Sequence, residues 1–391
     1  MKIKSYKVML VPNKKQITKL FQYANASRFA YNWALGMEED NYRNGGKFIL
    51  DSELRSKFTI LRHTEYLWLE SVSNNVTKQA IKDACIAYKR FFEHKSKHPK
   101  FKSRKRSIPK FFQDPVKIKF TETHVKVEGF SSSKKKNKQV FNWIRLSEHN
   151  RIPINAHYCN PRISFDWLNW WISVGVISND IDKEFPHNEG IGIDLGIKDL
   201  AVCSDRIVYS NINKTSTVKR IEKKKKRLQG RISRKYLLNN KSKMNKEGER
   251  FCKTCNIVKL ENELLRINHR LKNIRHNYLH QTTSSIVNRE PRFIVMEDLN
   301  VSGMMKNKHL AKAVQQQCFY EFLRQITYKS SNHNIHLITA DRWYPSSKKC
   351  SCCGNIKHDL KLSDRVYHCD VCGLVIDRDY QASINLRNFA L

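Results

Sequence analysis

Two C-x2-C pairs stand near the end of the chain: Cys350 with Cys353, and Cys369 with Cys372, separated by fifteen residues. Two such knuckles at this separation close a tetrahedral shell around Zn²⁺. Four thiolates leave no open position on the ion, so the zinc expected here is structural. Gly354 and Gly373 follow the second cysteine of each pair, where a tight turn favours positive φ. Cys352 sits inside the first pair as a competing thiol, but the two-residue spacing favours Cys350 with Cys353. Another pair, Cys252 and Cys255, has no second pair nearby and reads as exposed thiols in a helix connection. Five of the 11 cysteines fall between Cys350 and Cys372. Such clustering in a long chain points to metal ligation rather than disulfides.

Carboxylates form the second chemical group. Asp194 lies in the apolar run GIGIDLG, and Glu297 closes the run FIVME. An acid in either run is costly to bury unless it is paired or bound to metal. Hard divalent cations take carboxylate oxygens, and two such ions about 3.5–4 Å apart suit phosphodiester hydrolysis. The glycines beside Asp194 are expected to let a phosphate backbone approach. Asp379, in IDRDYQASINL, is the third candidate, just before a short C-terminal helix. On spacing alone, Asp377 or Asp298 competes with its neighbour.

Charge says what such a site would meet. The 391 residues carry 73 Lys and Arg against 36 Asp and Glu, a net +37 with His neutral. Self-repulsion of that size is tolerated when the partner is a polyanion. No run of about 18 apolar residues spans a bilayer, and MKIKSYKVMLVP is too short and lysine-broken for an export signal. A cytosolic, nucleoid-associated nucleic-acid-binding protein with no membrane partner is the expectation. HKSKHPKFKSRKRSIPKFF, residues 94–112, interleaves basic residues with Phe101, Phe111, Phe112, Pro99 and Pro109. That mixture reads as an ordered strap gripping a nucleic-acid backbone, with Lys100, Lys102, Arg104, Lys105 and Arg106 as candidate contacts.

These groups need elements to hold them. Lys4 to Val11 reads as a strand ended by Pro12, and Asn13 with Gln16 as a capping box opening a helix. A second helix is predicted over Ser71 to Phe92, its apolar residues at steps of four. Val116 to Ser178 turns to β texture, including a hairpin around Leu168 and Asn169, and suggests a small barrel or sandwich. From Gly190 onward the pattern gives three strands, a long basic helical region at about 217–287, and a buried strand at PRFIVMEDLN. A helix over about 311–328 and a strand over His336 to Ala340 complete a β-β-β-α-β-α-β order, which resembles an RNase H-like domain.

GIDLGIKDLAV, KNIRHNYLHQ, IVMEDLNVSGM, YPSSKKCSCCG and DRDYQASINL, with RFAYNWAL and HPKFKSRKR upstream, together resemble the TnpB (OrfB) family. These are RNA-guided nucleases of bacterial insertion sequences, related to type V CRISPR effectors. The resemblance spans nearly the whole chain in motif order. It implies a multidomain α+β protein: a wedge β-barrel (1–12 and 113–185), a helical recognition domain with the basic strap (13–112), and a RuvC-type RNase H-like nuclease domain. The nuclease domain would comprise 186–345, with the basic helical insert, and 374–391, split by a Cys₄ zinc ribbon at 346–373. It also implies Asp194, Glu297 and Asp379 as catalytic ligands of two Mg²⁺ ions, with Mn²⁺ as a substitute, and one structural Zn²⁺. Guide RNA from the transposon end and target double-stranded DNA would be the partners, with base pairing carrying sequence and backbone contacts carrying affinity. Two departures stand out: Gln381, where the family usually has asparagine, and the pair at Cys252. The alternatives are a catalytically weak or inactive RNA-guided DNA-binding repressor, a strand-transfer transposase, and a basic zinc-ribbon RNA-binding protein.

Overall fold

The first strand, β1 (Lys2–Val11), ends at Pro12, and Asn13 starts helix α1 (Lys14–Arg43) through a complete capping box with Gln16. The Gln16 side chain does more than cap. It is buried, and its Nε2 donates to the carbonyls of Phe141 (3.1 Å) and Trp143 (2.8 Å), tying the helix start to a distant strand. The computed structural model describes residues 2–131, 140–178, 185–241, 253–361 and 364–390. The chain divides into two compact units, Met1–Ile181 and Asp182–Leu391.

In the first unit α1 is followed by α2 (Asp51–Thr64) and α3 (Asn74–Phe92). Helices α1 and α3 share one core, with Ala24, Ala30 and Ala34 on one helix and Ala80 and Ala84 on the other all buried. The strands are β2 (Lys110–Phe112), β3 (Lys119–Phe120), β4 (His124–Lys126), β5 (Trp143–Leu146), β6 (Tyr158–Phe165) and β7 (Trp170–Ser178). With β1 they form one antiparallel sheet in the order β2-β6-β7-β1-β5-β4-β3. The predicted hairpin is the β6–β7 pair, its turn held by Asp166 Oδ1, which accepts from the Leu168 and Asn169 amides.

The expected barrel is corrected by this sheet. Among the described residues it is open, with β2 and β3 as unpaired edges of three and two residues. The sheet does not need to close on itself to bury its apolar face. Val8, Leu10, Ile144, Ile163 and Ile172 share one core with Leu20, Tyr23, Val76 and Ile81 of the helices.

The second unit opens with β8 (Ile191–Leu195), β9 (Asp199–Cys203) and β10 (Val208–Ser210), as three successive strands were predicted. Helices α4 (Ser216–Lys241) and α5 (Cys255–Val287) follow. Leu260, Leu264, Ile267, Leu271 and Ile274 of α5 recur at alternating steps of four and three. They pack on Val218, Ile221, Leu228 and Ile232, a coiled-coil-like seam under a basic exterior. Strand β11 (Phe293–Glu297) is buried up to its last residue. After it come α6 (Val301–Met304), α7 (Ala311–Gln317), α8 (Phe319–Asn332) and β12 (His336–Ala340). The single helix expected near 311–328 is thus two helices. Cys318, at φ +56°, breaks it, and buried Gln317 donates to the Gly196 carbonyl at 2.8 Å. The sheet order is β10-β9-β8-β11-β12, antiparallel from β10 to β8 and parallel from β8 to β12. A two-stranded hairpin, β13 (Val366–His368) and β14 (Val375–Asp377), leads into α9 (Arg378–Asn388).

Candidate active site and metal centre

Parallel pairing sets Ile191 opposite Ile294, Gly192 opposite Val295 and Ile193 opposite Met296. The next residues in register are Asp194 and Glu297. The two acids therefore stand side by side at the C-terminal ends of neighbouring parallel strands, the edge where open α/β sheets hold ligands. Neither strand alone brings them together; the register does.

Asp379 arrives from α9, in its first turn. This helix lies directly on β8, and Gly192 is the reason. A Cβ at position 192 would stand 2.0 Å from the Ser383 carbonyl oxygen and 2.4 Å from the Arg387 nitrogen. The glycine admits a helix backbone, so the expectation that the glycines before Asp194 serve phosphate approach is corrected. Gly190 likewise faces the Phe293 ring.

Asp194 feels the charge of the other two acids. Burial pushes the Asp194 carboxyl well above the ordinary carboxylate range, and the charges of Glu297 and Asp379 push it further; Arg378 acts the other way. Among the described residues the Asp194 carboxylate accepts no hydrogen bond. An acid held in an apolar strand, without donors and beside two other acids, is a site that a divalent cation would stabilise. The three carboxylates do not gather within 4.8 Å, as the four thiols do. Glu297 Oε1 accepts from the Ser346 hydroxyl, and Asp379 Oδ1 lies 3.3 Å from Arg378 Nη2.

The competing acids have other partners. Asp298 is bonded to Arg342 at the surface. Asp377 is the N-cap of α9, accepting from the Asp379 and Tyr380 amides at 3.0 and 3.1 Å. Asp377 therefore orients the helix start that carries Asp379.

The cysteine cluster has the form its spacing predicts. Cys350 and Cys372 Sγ lie 3.6 Å apart, Cys353 and Cys369 Sγ 3.5 Å. Zinc–sulfur bonds of about 2.3 Å in a tetrahedron require about 3.8 Å between sulfurs, so the donors fit one metal ion. The two knuckles repeat one hydrogen-bond pattern. Gly354 donates to Cys350 and Gly373 to Cys369, each at 3.0 Å, while Cys350 donates to Asn355 and Cys369 to Leu374. Both glycines have positive φ, +77° and +72°. Backbone N–H groups, that of Cys372 first, draw the Cys369 thiol below its usual value, which favours the thiolate a metal needs. Cys352 is exposed and outside the cluster. Cys255 is exposed at the start of α5, and Cys252 lies outside the described residues.

Gln381 is fully buried, and its role is to join two parts. Its Nε2 donates to the Lys349 carbonyl and its Oε1 accepts from Ser351 Oγ, both at 2.7 Å. One turn later, Asn385 Nδ2 donates to the carbonyls of Ser346 and Lys349, both at 2.6 Å. Two amides of α9 thereby clamp the segment that enters the first knuckle. Sequence reasoning flagged Gln381 for its length but missed Asn385 and Ser346. Nothing in the local pattern YPSSKKC distinguishes Ser346 from Ser347.

A second group, His276, His280 and Glu321, also gathers within 4.8 Å. It reads as a charge network, because Glu321 is already held by Arg324 through two bonds (2.8 and 2.7 Å) and by Gln325 at 2.9 Å.

In the first unit, the strap is ordered by α1. Asn32 Nδ2 donates to the Lys102 carbonyl (2.9 Å) and Asn32 Oδ1 accepts from the Lys102 amide (2.8 Å). Lys100, Arg104, Lys105 and Arg106 are exposed. Lys102 turns inward: its Nζ lies 3.1 Å from the Tyr31 ring centroid, and burial draws its pKa down to about 7. A cavity of about 500 Å³ between strap and helix is lined by Phe21, Arg28, Arg104, Phe165 and Trp167 among others.

Three family models match in order along the chain: one described as a helix-turn-helix domain (OrfB_IS605) over residues 1–47, one as "Probable transposase" (OrfB_IS605) over 173–308, and one as "Cas12f1-like, TNB domain" over 319–386. Residues 1–47 here hold one strand and one long helix. InsQ of Escherichia coli (strain K12), which carries the name of an RNA-guided DNA endonuclease, is 26% identical, covering 98% of this chain and 92% of its own length. A similarly named protein of Streptomyces pristinaespiralis is also 26% identical, over 98% and 88%. The fold is similar to that of Cas12f1 in a complex with sgRNA and target DNA, with a TM-score of 0.57, 15% identity, and coverage of 96% of this chain and 82% of that one.

Proposed function

Because the chain belongs to the TnpB (OrfB) family, we propose that it is a transposon-associated RNA-guided DNA endonuclease, cutting double-stranded DNA by metal-dependent phosphodiester hydrolysis. The observation that carries this reading is the convergence of Asp194 and Glu297, adjacent in register, with Asp379 charge-coupled to Asp194 from α9. The order β10-β9-β8-β11-β12, half antiparallel and half parallel, supports an RNase H-like, RuvC-type domain.

In this reading Asp194, Glu297 and Asp379 hold two Mg²⁺ or Mn²⁺ ions. When bound, such ions supply an activated water and charge relief for the leaving oxygen. The chain itself presents Asp194 without competing donors, orients Glu297 through one oxygen, and sets Asp379 at a capped helix start. The four cysteines hold a structural Zn²⁺ in a ribbon over 346–373. Residues 1–12 and 113–185 serve as the wedge and 13–112 as the recognition domain, whose strap residues Lys100, Arg104, Lys105 and Arg106 grip phosphates. Guide RNA supplies sequence recognition by pairing with one target strand.

The test is purification from cells expressing the native locus, sequencing of the copurifying RNA, and incubation with matching duplex DNA and Mg²⁺. Cutting of the matched duplex is expected, and its loss in Asp194→Ala with RNA binding retained. Normal cutting by that variant overturns the assignment.

A further inference from the structure

We propose that Ser346 is a positioning residue for Glu297, and that it links the four-cysteine cluster to the carboxylate site. The inference rests on the reading of Glu297 as a metal ligand.

Ser346 is buried, and its hydroxyl donates to Glu297 Oε1. Oε2 accepts no hydrogen bond from the described residues. A carboxylate fixed through one oxygen presents the other in a single orientation, as hydrogen bonds to ligating carboxylates do at metal sites. The hydroxyl is itself held from behind. The Ser346 carbonyl accepts from Asn385 Nδ2 (2.6 Å), and its amide donates to the Tyr344 carbonyl (2.8 Å). Tyr344 OH donates in turn to the Asn385 carbonyl at 3.0 Å. Four residues on, Cys350 enters the cysteine cluster, with Lys349 clamped by Gln381 and Asn385. One short segment, residues 344–351, therefore carries the Glu297 donor at one end and a metal-ligand cysteine at the other. Helix α9, which brings Asp379, grips it in the middle. The ribbon thereby fixes two carboxylates: Asp379 through the helix that follows it, and Glu297 through the segment that precedes it.

Ser346→Ala isolates the claim. It removes the hydroxyl but leaves both backbone bonds, so the segment keeps its clamp. The experiment measures Mn²⁺ binding to the full-length chain by electron paramagnetic resonance, with zinc content and melting temperature recorded on the same samples. Ser346→Ala is expected to weaken Mn²⁺ binding by about 10–100-fold, with zinc content and melting temperature kept. Ser346→Thr, which retains a hydroxyl, is expected to restore it. Glu297→Gln serves as the control and should lose binding. If Glu297→Gln loses Mn²⁺ while Ser346→Ala binds it as the parent does, the positioning role is wrong and the site stands. If Glu297→Gln binds normally, the reading of the site itself fails. Zinc loss or a lowered melting temperature in Ser346→Ala would make the residue merely structural and overturn the proposal.

Discussion

Gly192 and Ser383 define how near the last helix comes to the central strand: a single methyl on Gly192 would meet the Ser383 carbonyl oxygen at 2.0 Å. Backbone is on the other side of the gap, so nothing flexible can yield. Gly192→Ala must push α9 outward, taking Asp379 with it. Overpacking of this kind costs about 1–3 kcal/mol. Loss of DNA cutting is expected with zinc content retained, measured by a cleavage assay beside metal analysis. A variant that cuts normally would show that α9 need not lie so close.

Paired acids separate by role. Asp194→Asn and Asp379→Asn are expected to abolish cutting. Asp377→Asn should cut, since asparagine caps a helix as well as aspartate does, and Asp298→Asn should cut because it loses only a surface ion pair, which is worth little. Cleavage rates of the four variants against one matched duplex test the assignment. Inactivity of Asp298→Asn would move the site.

Gln381→Leu leaves the half-buried Lys349 carbonyl with one donor fewer and the half-buried Ser351 hydroxyl without its acceptor. The expected cost is about 1–3 kcal/mol for each polar group left unpaired. Urea unfolding of parent and variant measures it. No loss of stability would mean that the clamp contributes nothing beyond what Asn385 supplies.

Lys102 and Arg104 are neighbours in the strap with opposite fates. Arg104→Gln should reduce the slope of log affinity against log salt for RNA binding by about one phosphate contact. Lys102→Met should leave that slope unchanged. Its pKa is drawn down to about 7, chiefly by burial, against about 10.4 in the unfolded chain. Between those values the unfolded state binds the extra proton, so stability rises with pH across that window. Lys102→Met should flatten the rise, as read by thermal unfolding at pH 7 and pH 9. A reduced salt slope for Lys102→Met would instead put its charge on the nucleic acid.

Chelation of the cysteine cluster should unfold residues 346–373, whose small core is Tyr367, Cys350 and Cys369 with a few half-buried neighbours. Double substitution Cys350→Ser and Cys369→Ser should do the same. Limited proteolysis between residues 346 and 377 reads the effect, and a protease-resistant ribbon without zinc would contradict it.

The cysteine spacing, the capping box at Asn13, the β6–β7 hairpin and the strand containing Asp194 were legible because each is a local pattern. Period-two and period-four apolar repeats, turn residues and ligand spacing act within about twenty residues, and the chain carries them openly. Family motifs extended that reading to the three carboxylates. Other features depend on residues far apart in sequence. The register that sets Asp194 beside Glu297 spans a hundred residues. The open sheet follows from two helices covering the face a barrel would have enclosed, and Cys318 breaks a helix where Gln317 is drawn to the β8–β9 turn. Ser346 matters through a carboxylate forty-nine positions away, and Gly192 through a helix nearly two hundred residues later. Local patterns along the chain establish which chemical groups this protein has and which elements carry them. Which of those groups face one another is a matter of tertiary packing, because close contact is set by where backbones can approach.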